Sequence, residues 1–195
     1  MNTFLIIGND RICQQVVSKI NLNTHFKILI DKSTNLKRVT KLIAKRKISP
    51  FLLAKMYYCE FWRNNYDSLD TFDSIKKNET LINLVEEYDI KKIVLFRAGL
   101  ILNKKLIEKK IDILNIHAAI VPKYGGIGSI QKALNEKAFN QYSSLHKVTT
   151  TIDKGEILDK EVYTLVPEKS YCYNEKIAYE AAFKLLNRTL KNLRY

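Results

Sequence analysis

Apolar positions along this chain fall into short runs separated by helix-period stripes, and that alternation predicts the architecture before any chemistry is considered. The chain opens with the strand TFLIIG, a turn at Gly8-Asn9-Asp10, and a helical stripe at Ile12, Val16, Val17 and Ile20. A second strand, FKILI, ends at Asp31. Further on, Leu81, Leu84, Val85 and Tyr88 repeat with helical spacing before the strand Lys92 to Phe96. Asn103 can cap a short helix from Lys104 to Lys109, and the strand Ile111 to Asn115 follows directly. A helix from Gly128 to about Glu136 precedes two paired strands, about Ser144 to Thr151 and Gly155 to Val166. The last helix, Tyr173 to Leu193, places Ile177, Ala181 and Leu185 beside Ala178, Ala182 and Leu186 at four-residue steps. Strands alternating with helices predict an α/β fold: a Rossmann-like, mostly parallel twisted sheet with helices on both faces.

Between the second strand and the Lys92 strand lies a helical insert, at about 36–63. Its first half sets Leu36, Val39, Leu42 and Ile43 against Lys37, Arg38, Lys41, Lys45, Arg46 and Lys47. That is either a solvated basic face or a surface for an anion. Its second half, from Phe51 to Arg63, concentrates Tyr57, Tyr58, Phe61 and Trp62, which read as core or as a subunit contact, hence a homodimer candidate. The segment from Tyr66 to Asn78 is polar and reads as a loop.

At 195 residues the chain predicts one domain, 1–195, including the insert. The net charge of +13 favours anionic ligands without choosing among nucleic acid, nucleotide and acidic metabolite. No nucleic-acid-binding motif accompanies the charge, so no nucleic-acid partner is expected. Cys13, Cys59 and Cys172 are odd in number and widely spaced, with no cluster suited to zinc. They predict buried thiols in a reducing compartment, and the short first apolar run predicts no signal peptide and no membrane span. A cytoplasmic location is expected.

Candidate chemistry concentrates between Ile113 and Leu158. Asn115 and His117 stand two apart at the end of an apolar run, so they share one face at the C-terminal edge of a strand, where ligands of open α/β sheets bind. Asp153 ends a second run, just before Lys154-Gly155. His146 reads first as a buried, hydrogen-bonded strand histidine, and His25, at a strand entrance, is assigned no role. The single glycine of the first turn makes no dinucleotide fingerprint.

The stretch NIHAAIVPKYGG resembles the NIHPSLLPKYRG signature of the formyltransferase family, whose members move a formyl group from 10-formyltetrahydrofolate to an amine. Family members also carry a GVTVH-like strand with the Asp of a DxG motif seven positions on, and here His146 plus seven is Asp153, in Asp153-Lys154-Gly155. The upstream FRAGLILNKKLI is similar to the family's folate-side strand and loop. Ala118-Ala119 replace Pro-Ser, Gly125 replaces Arg, and Ser143-Ser144 replace Val-Thr. The resemblance implies a catalytic set of Asn115, His117 and Asp153, folate contacts at Leu100, Ile101, Leu102, Thr149 and Thr150, and acceptor contacts at Asn9, Arg11, Tyr124 and Gly126. Attack of an amine on a formyl carbon builds charge on the carbonyl oxygen and releases a proton. Asn115 and a protonated His117 suit the oxyanion; His117 also suits the proton, with Asp153 steadying an imidazolium.

Three acceptor classes are usual for the family. The first turn lacks the Gly/Ser-rich phosphate cradle expected for glycinamide ribonucleotide, and the chain stops one helix past the core, where enzymes acting on initiator tRNA carry a further domain. The expected acceptor is the amine of a nucleotide-linked amino sugar, as in short formyltransferases of surface-polysaccharide pathways. Alternatives are a glycinamide ribonucleotide-type or other small-amine enzyme, or a non-catalytic folate or anion binder.

Overall fold

The computed structural model describes residues 2–20, 26–34, 36–46 and 48–192, without the side chains of 36–38. His25 and the expected helix end at Leu193 lie outside the described residues. Seven strands form one sheet in the order β3-β2-β1-β4-β5-β6-β7: β1 (Thr3–Gly8), β2 (Phe26–Asp31), β3 (Ser74–Ile75), β4 (Lys92–Phe96), β5 (Asp112–His117), β6 (Asn140–Lys147) and β7 (Ile157–Thr164). The first five run parallel, while β6 is antiparallel to β5 and β7 to β6. This is the expected mostly parallel α/β sheet.

Side chains alternate across a strand, so each central strand feeds two cores. Leu5 and Ile7 of β1, with Val94 and Phe96 of β4, pack under α1 (Arg11–Lys19), α3 (Pro50–Trp62), α6 (Ser129–Asn135) and α7 (Tyr171–Lys191). Phe4 and Ile6, with Ile93 and Leu95, pack under α4 (Asn78–Glu87) and α5 (Lys104–Ile107). Every side chain of β1 is therefore buried, which explains why its apolar run is continuous rather than alternating.

Local chemistry starts the helices where the sequence asks for them. Asp10, Ser49, Asn103 and Ser170 each accept a backbone N–H at a helix N-terminus, and Pro50 opens α3 with no amide to lose. The helix α2 (Leu36–Ala44) precedes α3, so the insert is helical as its spacing predicts.

Four expectations change. The polar 66–78 segment holds a short 3-10 turn at Leu69–Thr71 and the two-residue β3, whose Ile75 is fully buried beside β2. Two residues are too few for a period to show. The strand expected from Ser144 to Thr151 runs instead from Asn140 to Lys147, because Asn140, Gln141 and Ser143 are polar strand residues. The aromatics of α3 are not core: Phe51, Tyr57, Tyr58, Phe61 and Trp62 are each at least 59% exposed. Finally, only Cys13 is a buried free thiol, since Cys59 and Cys172 form a disulfide. Packing of α3 against α7 brings together two cysteines 113 residues apart, which spacing along the chain does not reveal. No helix among the described residues is long and apolar enough to cross a membrane.

Candidate active site

Asn115 lies on β5 directly opposite His146 on β6, and the parity of β5 turns Asn115 and His117 toward the side of the sheet that Ile113 helps to fill. Leu114 and Ile116 face the α7 side instead. The amide nitrogen of Asn115 is 3.1 Å from His146 Nε2, and His146 Nδ1 is 3.0 Å from the Lys147 carbonyl. A carbonyl only accepts, so Nδ1 carries the proton, and in the neutral ring Nε2 accepts from the Asn115 amide. One Asn115 N–H is thereby fixed in place and the other is left for a further acceptor.

Asp153 completes the cluster from the loop between β6 and β7. Its Oδ1 lies 3.6 Å from His146 Nε2, and its Oδ2 accepts the Gly126 N–H at 2.7 Å. Asp153 itself has φ +53°, so the loop makes a tight left-handed turn there. Gly155 permits the turn to press on β6, because a Cβ at this position would stand 1.7 Å from the Lys147 carbonyl oxygen. That is the oxygen on which His146 Nδ1 donates, so the DxG glycine and the ring tautomer rest on one atom.

His117 Nε2 donates to the Tyr124 carbonyl at 3.0 Å, which leaves Nδ1 with its lone pair in the neutral ring. Burial lowers the His117 pKa below its ordinary value; Asp153 and the Tyr124 carbonyl oppose that shift and His146 adds to it. At neutral pH the ring is neutral, which suits a base at Nδ1 better than the protonated donor expected from sequence. The Tyr124 ring is buried and its hydroxyl donates to Glu136, so the residue meets the site through its backbone rather than its side chain. Gly125 lies against Asp153, with a Cβ there at 3.0 Å from the carboxylate side chain. Any side chain at this position would press on Asp153, which Gly125 avoids.

The segment after His117 is held by hydroxyls from β6 and β7. Ser144 donates to the Ala119 carbonyl at 2.9 Å and Tyr163 to the Ala118 carbonyl at 2.7 Å, all buried. These two bonds hold the segment that follows His117 against β6 and β7, while Ser143 donates to the Ala178 carbonyl of α7 at 3.2 Å.

Beside the cluster, the loop after β4 is held by Asp31, whose Oδ2 accepts the Gly99 and Leu100 amides at 2.5 and 2.6 Å, and by Asn78, which bonds the backbone of Ile101 and Asn103 at 3.0 Å. Leu102 is buried and Leu100 packs on the same apolar cluster with Val148, while Ile101 is exposed. Thr149 and Thr150 lie in the exposed loop past β6, where the Thr149 hydroxyl bonds the Thr151 carbonyl. Asn9 is exposed in the first turn. Arg11 stands apart from these: its guanidinium donates to the Phe61 and Arg63 carbonyls at 2.6 and 2.7 Å, fastening α1 to the end of α3.

Sequence reasoning missed two features. His146 is the buried, hydrogen-bonded strand histidine that the sequence suggests, but its pairing with Asn115 follows from strand register, which residue spacing alone does not give. At the switch point between β1 and β4, Asp10 and Arg97 form an ion pair 87 residues apart. Arg97 also reaches Glu175 at 3.6 Å and stacks 4.4 Å from the Tyr179 ring. Burial raises the Asp10 pKa, but Arg97 and the Cys13 amide outweigh it and hold the carboxyl below its ordinary value. The only sequence signal was a charged residue at the end of each apolar strand. Among the described residues no group of His, Cys, Asp and Glu is placed to hold a metal.

Residues 2–189 match the family model described as Formyl transferase. A methionyl-tRNA formyltransferase of Caldicellulosiruptor saccharolyticus is 29% identical over 122 residues, 62% of this chain and 39% of that protein. The match thus spans about two fifths of that relative's length. Among solved structures, a sugar N-formyltransferase from Shewanella sp FDAARGOS_354 superposes with TM-score 0.66 at 16% identity, over 99% of this chain and 70% of that one. The phosphoribosylglycinamide formyltransferase of Streptococcus pneumoniae TIGR4 gives 0.64 at 18% identity, over 100% of both chains.

Proposed function

Because the chain belongs to the formyl transferase family, we propose that it is an enzyme moving a formyl group from 10-formyltetrahydrofolate to the amine of a nucleotide-linked amino sugar. The observation that supports this most directly is the hydrogen-bonded Asn115–His146 pair, with Asp153 and His117 beside it, at the C-terminal edge of the sheet. When bound, the folate supplies the electrophilic formyl carbon and a nitrogen leaving group. The residues fit that need: Leu100 and Leu102 offer an apolar wall, and polar groups converge on its rim.

Each side chain has one task. The uncommitted Asn115 N–H donates to the formyl oxygen as negative charge gathers there; His146, holding the other N–H, keeps the amide from rotating. His117 Nδ1 takes the proton from the attacking amine as the new C–N bond forms, and returns it to the folate nitrogen as the old C–N bond breaks. Asp153, close enough to raise the affinity of His117 for that proton, steadies the transient imidazolium. The buried Leu102 and the pinned 97–103 loop keep water from the formyl carbon.

For the acceptor, the turn after β1 carries no Gly/Ser-rich run, and its Asp10 is committed to capping α1 and to Arg97, which speaks against a ribonucleotide phosphate cradle there. The Shewanella neighbour is a sugar N-formyltransferase and the Streptococcus pneumoniae one a phosphoribosylglycinamide formyltransferase, so the choice between these acceptors rests on the first turn. The test is to supply 10-formyltetrahydrofolate with a panel of nucleotide-linked amino sugars and with glycinamide ribonucleotide, following release of tetrahydrofolate. Turnover with at least one sugar is expected; turnover with glycinamide ribonucleotide alone overturns the acceptor, and none with any amine overturns the enzyme reading. The exposed aromatic stripe of α3 supports a second proposal, a homodimer closed through Phe51, Tyr57, Tyr58 and Phe61. Sedimentation equilibrium giving a monomer at micromolar concentration would count against it.

A further inference from the structure

A cavity of about 400 Å³ lies between α1, the end of α3 and the start of α7, and none of Asn115, His117, His146 or Asp153 lines it. Its size is that of small-molecule sites in general. Two kinds of side chain meet there. Aromatic faces come from Trp62, Tyr66, Tyr173 and Phe183, with the Cys59–Cys172 disulfide adding an uncharged, polarisable wall. Positive charge comes from Arg11, Lys19, Arg63 and Lys176, against the single carboxylate of Glu180.

The cations divide by how they are held. Arg11 and Arg63 are positioned: Arg11 donates to two carbonyls at the end of α3, and Arg63 is braced by Glu60 and by the buried Glu175. Lys19, 6.0 Å over the Phe183 ring, and Lys176 are held more loosely. Among the described residues no carboxylate pairs with Lys19, and Lys176 reaches only Glu180, at 3.9 Å with both side chains largely exposed. An exposed ion pair of that length holds little energy and yields to a better anion.

We infer that this groove is a second ligand site, separate from the acyl-transfer cluster, and that it takes a nucleotide-class ligand: a planar base against Trp62 and its aromatic neighbours, and a diphosphate against Lys19 and Lys176. A bare anion leaves the aromatic faces unused, and an uncharged ring leaves the lysines unused. One small molecule carrying both parts uses all of them.

Trp62 is the sole tryptophan of the chain, so intrinsic fluorescence reports on this groove. The full chain is titrated with adenosine diphosphate and uridine diphosphate, and with inorganic diphosphate as comparison. A saturable change in Trp62 emission is expected with the nucleotides and not with inorganic diphosphate. Lys19→Glu and Lys176→Glu, both at exposed positions, are expected to weaken it about tenfold each, the loss of one charge-assisted contact. Asn115→Ala is expected to leave it unchanged. No saturation at millimolar nucleotide, equal response to inorganic diphosphate, indifference to both lysine variants in chains of unchanged circular dichroism, or loss of binding in Asn115→Ala each overturns the inference. The last outcome would place the nucleotide in the acyl-transfer site instead, and none of these results bears on whether formyl transfer occurs.

Discussion

Asn115 and His146 are cross-strand partners whose amide nitrogen and ring Nε2 stand 3.1 Å apart, and the ring can accept that amide only because its other nitrogen donates to the Lys147 carbonyl. The orientation of the amide is therefore set by a histidine that need not touch the reacting atoms. Asn115→Ala removes the donor itself and is expected to lower kcat by about 10²–10³-fold. His146→Leu leaves the donor present but free to turn, and is expected to lower kcat by about tenfold or more with the KM for folate little changed. Release of tetrahydrofolate in steady state separates the two, and an equal KM defect in both variants would contradict the division of roles.

The pH dependence follows from His117. Its folded pKa lies below the ordinary 6.5 because burial disfavours the charged ring. In the unfolded chain the ring binds a proton as pH falls through 6.5, whereas the folded ring does so only at lower pH. Stability is thus unaffected above that window and declines as pH falls into it. The acid limb of kcat/KM is expected below pH 6.5, since the neutral ring persists there. Asp153 opposes the shift, so Asp153→Asn is expected to move the His117 ring titration to still lower pH, followed by proton NMR of the ring.

The sheet was legible because central strands buried on both faces write unbroken apolar runs, as β1 and β4 do. That Asn115, His117 and Asp153 lie near one another was legible because two of them share a strand and the formyltransferase pattern sets the third seven positions after His146. Whatever depends on packing across the chain was not. The Asp10–Arg97 pair, the Cys59–Cys172 disulfide and the bonds from Ser144 to Ala119 and Asp31 to Leu100 join residues 25 to 113 apart. Nor does sequence tell an exposed aromatic stripe from a core one: Tyr57 and Tyr58 look the same in both cases until α3 is docked.

Gly155 gives a prediction about the loop rather than the chemistry. A Cβ there would sit 1.7 Å from the Lys147 oxygen, which is strand backbone and cannot swing aside. Gly155→Ala must shift the loop and with it Asp153, costing about 1–3 kcal/mol of stability and about 10²-fold in kcat. The neighbouring Lys154→Ala, at an exposed position, is expected to change neither by a measurable amount. Urea unfolding and initial rates on both variants make the comparison.

Ser144 and Tyr163 test how the segment that follows His117 is held. Each hydroxyl is the donor to a buried carbonyl, Ala119 and Ala118 respectively. Ser144→Ala and Tyr163→Phe each leave that carbonyl unpaired and are expected to cost about 1–3 kcal/mol. In urea the midpoint falls while the slope is unchanged, as it should when only the folded state is altered.

The disulfide between Cys59 and Cys172 ties the aromatic helix α3 to the first turn of α7 and closes a loop of 113 residues. Cross-linking restricts the unfolded chain, and a loop that long places its contribution at about 2–5 kcal/mol. Cys172→Ala is expected to lower the urea midpoint in oxidising buffer and to match the dithiothreitol-treated wild type. Cys13 does not interfere: it is fully buried, and burial, with Asp10 adding, raises its thiol pKa well above the ordinary value, so little thiolate is available for exchange. Because α3 also contributes Trp62 to the groove beside α1, a reduced chain is expected to show altered Trp62 emission while retaining its rate of tetrahydrofolate release, the acyl-transfer residues lying on β5, β6 and the loop that follows. A parallel loss of both signals on reduction would mean that the disulfide supports the whole fold rather than the docking of α3.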